Sequence, residues 1–122
     1  QTRCFLNVQD AVRAIIGLAE CPQAAGQVFN IGSTQEITVL ELARRVLALV
    51  AETKGDSGGK ADESSLVFVP YEKAYQQGFE DLRRRVPDIG KIGRLLGWEP
   101  RVSLDETLRQ VIDYCRNSGG RL

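Results

Sequence analysis

Residues 4–19 read Cys4-Phe5-Leu6-Asn7-Val8-Gln9-Asp10-Ala11-Val12-Arg13-Ala14-Ile15-Ile16-Gly17-Leu18-Ala19, and a change of period within them decides the fold class. Residues 4–8 are short, apolar and rich in β-formers, which predicts a strand. Asp10 stands where a helix N-cap belongs, and Ala11, Val12, Ala14, Ile15, Ile16, Leu18 and Ala19 then recur as the apolar side of a helix. Strand followed directly by amphipathic helix is the grammar of a mixed α/β domain.

The same grammar continues outward. Pro22 and Gly26 mark a loop, residues 27–31 predict a second strand, and Gly32-Ser33 ends it. Thr38 with Glu41 three residues later forms a capping box, and Leu42, Val46, Leu49 and Val50 carry the apolar side of the next helix. Residues 66–69 predict a third strand, stopped by Pro70. Asp88 is placed to cap a short helix ending at Leu96, with Gly97 as its C′ residue. Ser103 and Glu106 form another capping box, before a helix carrying Leu108, Val111, Ile112 and Cys115. The expectation is an α/β fold of few short strands packed with helices, one domain over residues 1–122. Three strands make a thin sheet, so strands of an upstream partner are expected to complete it.

Residues 54–65 are polar and glycine-rich and predict a flexible loop. Their Gly58-Gly59-Lys60 invites comparison with a phosphate-binding P-loop. That spacing needs Gly at 54 and Ser or Thr at 61, where this chain has Lys54 and Ala61. The P-loop reading fails.

Composition narrows the function. The 122 residues carry sixteen basic and sixteen acidic side chains, a formal net charge of zero, which argues against general nucleic-acid binding. Apolar stretches are interrupted by charges too often to span a membrane. No histidine occurs, so a His-based triad, a His metal site or an imidazole base has no place in this chain. Cys4, Cys21 and Cys115 are widely spaced with no Cys-x-x-Cys pair, the pattern of reduced thiols in a cytoplasmic protein rather than a zinc or redox site. With Gln1 in place of an initiator Met and a strand-like run at once following, the chain is expected to be a fragment.

Four segments in this order carry a family resemblance: residues 1–10, residues 28–32 (Val28-Phe29-Asn30-Ile31-Gly32), residues 85–89 (Arg85-Val86-Pro87-Asp88-Ile89) and residues 96–100 (Leu96-Gly97-Trp98-Glu99-Pro100). Together they resemble the C-terminal, substrate-binding part of extended short-chain dehydrogenases acting on nucleotide sugars. That family includes UDP-glucose 4-epimerases, dTDP-glucose 4,6-dehydratases and UDP-glucuronate decarboxylases, and residues 75–81 look most like the decarboxylase branch. The resemblance implies a parent enzyme that is a NAD-dependent epimerase, dehydratase or decarboxylase. NAD would be bound by an N-terminal Rossmann domain, the substrate would be a UDP- or dTDP-linked sugar, and the parent would be a homodimer. This chain has neither the Gly-x-Gly-x-x-Gly fingerprint nor the family's Tyr-x-x-x-Lys pair, so alone it is expected to be inactive.

The same resemblance nominates site residues. Arg3 matches an arginine that contacts the nucleotide. Arg85, with Arg84 second, matches a ligand-contacting arginine, and guanidiniums suit a diphosphate. Val39 matches an aliphatic residue packed on the base, and Tyr75 and Phe79 lie in a segment that relatives fold over the substrate. Asn30, Gly32, Asp88 and Trp98 read as structural: turn, cap and packing. The rival expectation is a non-catalytic module that binds a partner protein through apolar surface, or senses a sugar nucleotide.

Overall fold

A computed structural model describes residues 1–53, 63–70, 73 and 82–119. Strand β1 (Thr2–Cys4) pairs antiparallel with β2 (Glu36–Thr38) in a two-stranded sheet, with Arg3 opposite Ile37. Helices α1 (Val8–Glu20), α2 (Val39–Thr53), α3 (Gly90–Leu96) and α4 (Leu104–Asn117) complete the mixed α/β arrangement, with 3-10 turns at Pro22–Ala24 and Glu63–Ser65. Apart from residues 63–65, the loop expected over 54–65 lies outside the described residues.

Where strands form differs from the sequence reading. The first strand ends at Cys4, and Val8 already begins α1. The cap is Asn7 rather than Asp10. Asn7 Oδ1 accepts from the Gln9 N–H at 2.9 Å, while Nδ2 donates to Thr107 Oγ1 and Gln110 Oε1 at 3.0 and 2.8 Å. An amide both accepts and donates, so one side chain caps α1 and ties it to α4. A carboxylate could do only the first.

Residues 27–31 join no ladder. Phe29 and Ile31 turn inward against the core of Ala14, Ile92 and Trp98, and Val28 faces solvent. Lys91 secures the segment from α3, donating to the Val28 carbonyl at 2.8 Å with its ammonium 4.5 Å from the Phe29 ring centre. The β-type alternation there reflects packing, not pairing. Residues 66–70 likewise belong to no strand among the described residues. Instead, β2 forms from Glu-Ile-Thr, whose one buried side chain, Ile37, leaves too short an alternation to register in the sequence.

Asp10 sits in the first turn of α1 and is 2% exposed. Its Oδ2 accepts from the amides of Arg101 and Val102, each at 2.9 Å, and its Oδ1 from Arg13 at 2.9 Å. Its own carbonyl accepts from the Trp98 indole at 3.1 Å. Burial pushes this carboxyl up, but the Val102 amide, the Arg13 guanidinium and the Arg101 amide outweigh it and hold the group below the usual aspartate range. Residues 98–102 are thereby bolted to α1.

Several local expectations match. Gly97 closes α3 at φ 64°, its N–H donating to the Gly93 carbonyl at 2.8 Å. Ser103 caps α4 by accepting from Glu106 N–H at 3.2 Å, whereas Asp88, expected as the cap of α3, stands one residue before its N-cap Ile89 and accepts from Gly90 N–H at 2.9 Å. Thr38 accepts from Glu41 N–H at 3.1 Å, but the Glu41 carboxylate pairs with Arg45 at 3.3 Å instead of closing the box. The apolar residues of α1 divide between two sides: Ala14 and Leu18 join the core, whereas Val8, Val12, Ile15 and Ile16 are exposed. All three cysteines are free thiols.

Candidate functional site

A cleft of about 620 Å³ opens where β1, residues 31–33 and residues 82–87 meet. Its walls include Arg3, Arg84 and Arg85, the cations that the sequence nominated from stretches some eighty residues apart, together with Cys4, Ser33 and Pro87.

Backbone contacts assemble it. The Thr2 N–H donates to the Arg83 carbonyl at 3.0 Å, and Thr2 and Arg84 form a parallel bridge, so residues 82–85 run beside β1. Arg3 reinforces the join, with Nη1 donating to the carbonyls of Thr2 and Leu82 at 2.7 and 2.9 Å. On the far side Gly32 meets Pro87. A Cβ at position 32 would lie 2.6 Å from Pro87 Cγ, so glycine is needed for close approach rather than for the tight turn expected from sequence. Ser33, 8% exposed, accepts from Gln35 N–H at 3.1 Å and carries the chain on toward β2.

Arg84 is engaged in a way the sequence did not reveal. Its Nε and Nη2 meet the two oxygens of Glu36, on β2, at 2.8 and 2.9 Å, and Thr2 Oγ1 donates to the same carboxylate at 3.1 Å. The bond from Arg84 holds the Glu36 carboxyl below its usual range, and Glu36 in turn raises Arg84. The Arg84 side chain is nevertheless 71% exposed. Arg85 is exposed at the cleft wall.

The remaining nominations divide. Val39, at the first turn of α2, is exposed and donates its N–H to the Gln1 carbonyl at 3.4 Å, but it is not among the residues lining the cleft. Tyr75 and Phe79 lie outside the described residues. Glu36 was missed, because nothing local marks it; only strand pairing brings it to Arg84. Trp98 is 4% exposed and structural. Among the described residues no three Cys, Asp or Glu side chains gather as metal ligands, and no helix is long and apolar enough to cross a membrane.

Comparison with known proteins points one way. The chain is 34% identical over 114 residues to UDP-D-apiose/UDP-D-xylose synthase 2 of Arabidopsis thaliana, covering 92% of this chain and 28% of that protein. It is 34% identical to UDP-N-acetyl-alpha-D-glucosaminuronate decarboxylase of Bacillus cytotoxicus, over 95% of this chain and 33% of that one. The UDP-glucose 4-epimerase of Thermotoga maritima, solved with UDP-glucose, superposes with a TM-score of 0.68 at 32% identity, over 96% of this chain and 32% of the epimerase. The chain thus spans about a third or less of the length of each. Since the family model described as GDP-mannose 4,6 dehydratase also matches residues 1–111, the chain belongs to that family of extended short-chain dehydrogenases.

Proposed function

We propose that the cleft grips the diphosphate of a nucleotide sugar, as the substrate-binding portion of a NAD-dependent epimerase, dehydratase or decarboxylase. The observation that carries this reading is the convergence of Arg3, Arg84 and Arg85 on one cleft, from stretches some eighty residues apart. Guanidiniums form charge-assisted, often paired hydrogen bonds with phosphate oxygens. The volume of about 620 Å³ lies within the range usual for small-molecule sites. UDP is favoured over dTDP as the nucleotide, since the relatives are named for UDP-sugars.

Arg85 is the leading phosphate contact and Arg84 the second, with Arg3 on the same cleft wall. Val39, Tyr75 and Phe79 remain proposed neighbours of the base and sugar. NAD supplies transient oxidation of the sugar when bound, and a separate Rossmann domain would hold it, since this sequence has no Gly-x-Gly-x-x-Gly fingerprint. The chemical task of this portion is positioning: energy from the remote diphosphate orients the sugar for the reaction.

Titration calorimetry of the complete gene product with UDP-glucose tests the reading. Arg85→Ala and Arg3→Ala are each expected to weaken binding roughly tenfold to a hundredfold, the worth of a hydrogen bond to a charged group. Circular dichroism controls for folding, because Arg3 also bonds backbone. Unchanged affinity in both variants removes the site.

A second reading, a module that binds a partner protein, is favoured by the exposed stripe of Val8, Val12, Ile15 and Ile16 on α1, 47–70% accessible. Substituting Ile15 and Ile16 by Ser separates the two: the partner reading expects lost association with intact nucleotide binding.

A further inference from the structure

Glu36 presents both carboxylate oxygens to the Nε and Nη2 edge of Arg84, at 2.8 and 2.9 Å. That edge and that paired geometry are what a guanidinium offers a phosphate. A carboxylate therefore occupies an anion position on Arg84, a wall residue of the cleft, with Glu36 itself just behind that wall on β2. It is held from the sheet side by Thr2 Oγ1, and its side chain is 31% exposed.

We infer that Glu36 is a specificity residue that tunes the cleft toward a diphosphate esterified at both ends and against the free nucleoside diphosphate. The inference rests on the diphosphate reading above. The charge on a rim carboxylate acts on a ligand in proportion to the ligand's own charge and falls off with distance. In a nucleotide sugar each phosphate carries one negative charge. In free UDP the terminal phosphate is a monoester that approaches two negative charges above its second pKa of about 6. Glu36 satisfies Arg84 and repels whatever further negative charge enters, so it penalises the free diphosphate more than the sugar ester. The benefit is a cleft less readily occupied by the hydrolysed or released nucleotide.

The experiment is calorimetric titration of the complete gene product with UDP and with UDP-glucose at pH 8 and constant ionic strength. Glu36→Gln, which keeps the shape and one acceptor for Arg84, is expected to tighten UDP roughly three- to tenfold and UDP-glucose by less than about twofold, the range for one partly screened rim charge. Glu36→Asp keeps the charge and is expected to retain the wild-type ratio of the two affinities. Glu41→Gln removes a charge from the Arg45 pair on α2 and controls for net charge, with both affinities unchanged. An equal shift for both probes, no shift, or weaker UDP binding in Glu36→Gln overturns the inference while leaving the diphosphate reading intact. Failure of wild type to bind either probe overturns both.

Discussion

Two carboxylates on this chain each hold an arginine at 2.8 to 2.9 Å, and they do opposite work. Asp10 is 2% exposed and takes hydrogen bonds from two backbone amides and Arg13, so its loss removes three bonds made by one buried carboxylate. Glu36 meets Arg84, a wall residue of the cleft, at the protein surface, where water can replace either partner. Buried charge with every lone pair satisfied fixes structure; exposed charge with the same geometry is exchangeable. Distance alone does not tell them apart. Burial does.

The largest test of that contrast is Asp10→Ala, expected to cost about 2–4 kcal/mol in urea unfolding, because it removes the buried acceptor of the Arg101 and Val102 amides and of Arg13. Protonating the same carboxylate is the milder version. Its folded-state pKa is depressed, so the unfolded chain binds the proton more readily and the stabilisation is fully present above the ordinary aspartate value of 3.8. Stability should decline as pH falls below that value, until the folded-state carboxyl is itself protonated. The decline should be shallower in Asp10→Asn, and equal slopes would take the linkage away from Asp10.

Gly32→Ala comes next. Its new Cβ would crowd Pro87 Cγ at 2.6 Å, costing roughly 1–3 kcal/mol by thermal unfolding and weakening UDP-glucose binding as residues 85–87 are pushed from residues 31–33. Pro87→Ala in the same chain should restore much of both. At the bottom of the scale stands Glu36→Ala, which should leave the unfolding midpoint where it was while changing the UDP to UDP-glucose ratio. A clear fall in the midpoint would move Glu36 into the same class as Asp10.

What could be read locally was read from short-range chemistry. Gly97 after Leu96 and Ser103 before Glu106 announce their helix ends, because a left-handed turn and a hydroxyl cap each need only their immediate neighbours. The arginines of the cleft were legible only through the resemblance, which carried their spacing. Asn7 escaped notice because Asp10 also fits a cap, and only the position of Thr107 and Gln110 explains why an amide is used. The apolar residues of α1 announced a helix but not that half of them face outward.

Thus the chain's own order of residues determined its helices, the helix ends at Gly97 and Ser103, and its family, since periodicity and capping act over a few residues. Strand pairing of β1 with β2, the meeting of Glu36 with Arg84 and the burial of Asp10 were decided only by tertiary structure. Each depends on which distant segments fold side by side, and there the dielectric around a charge, not its identity, sets what it can do.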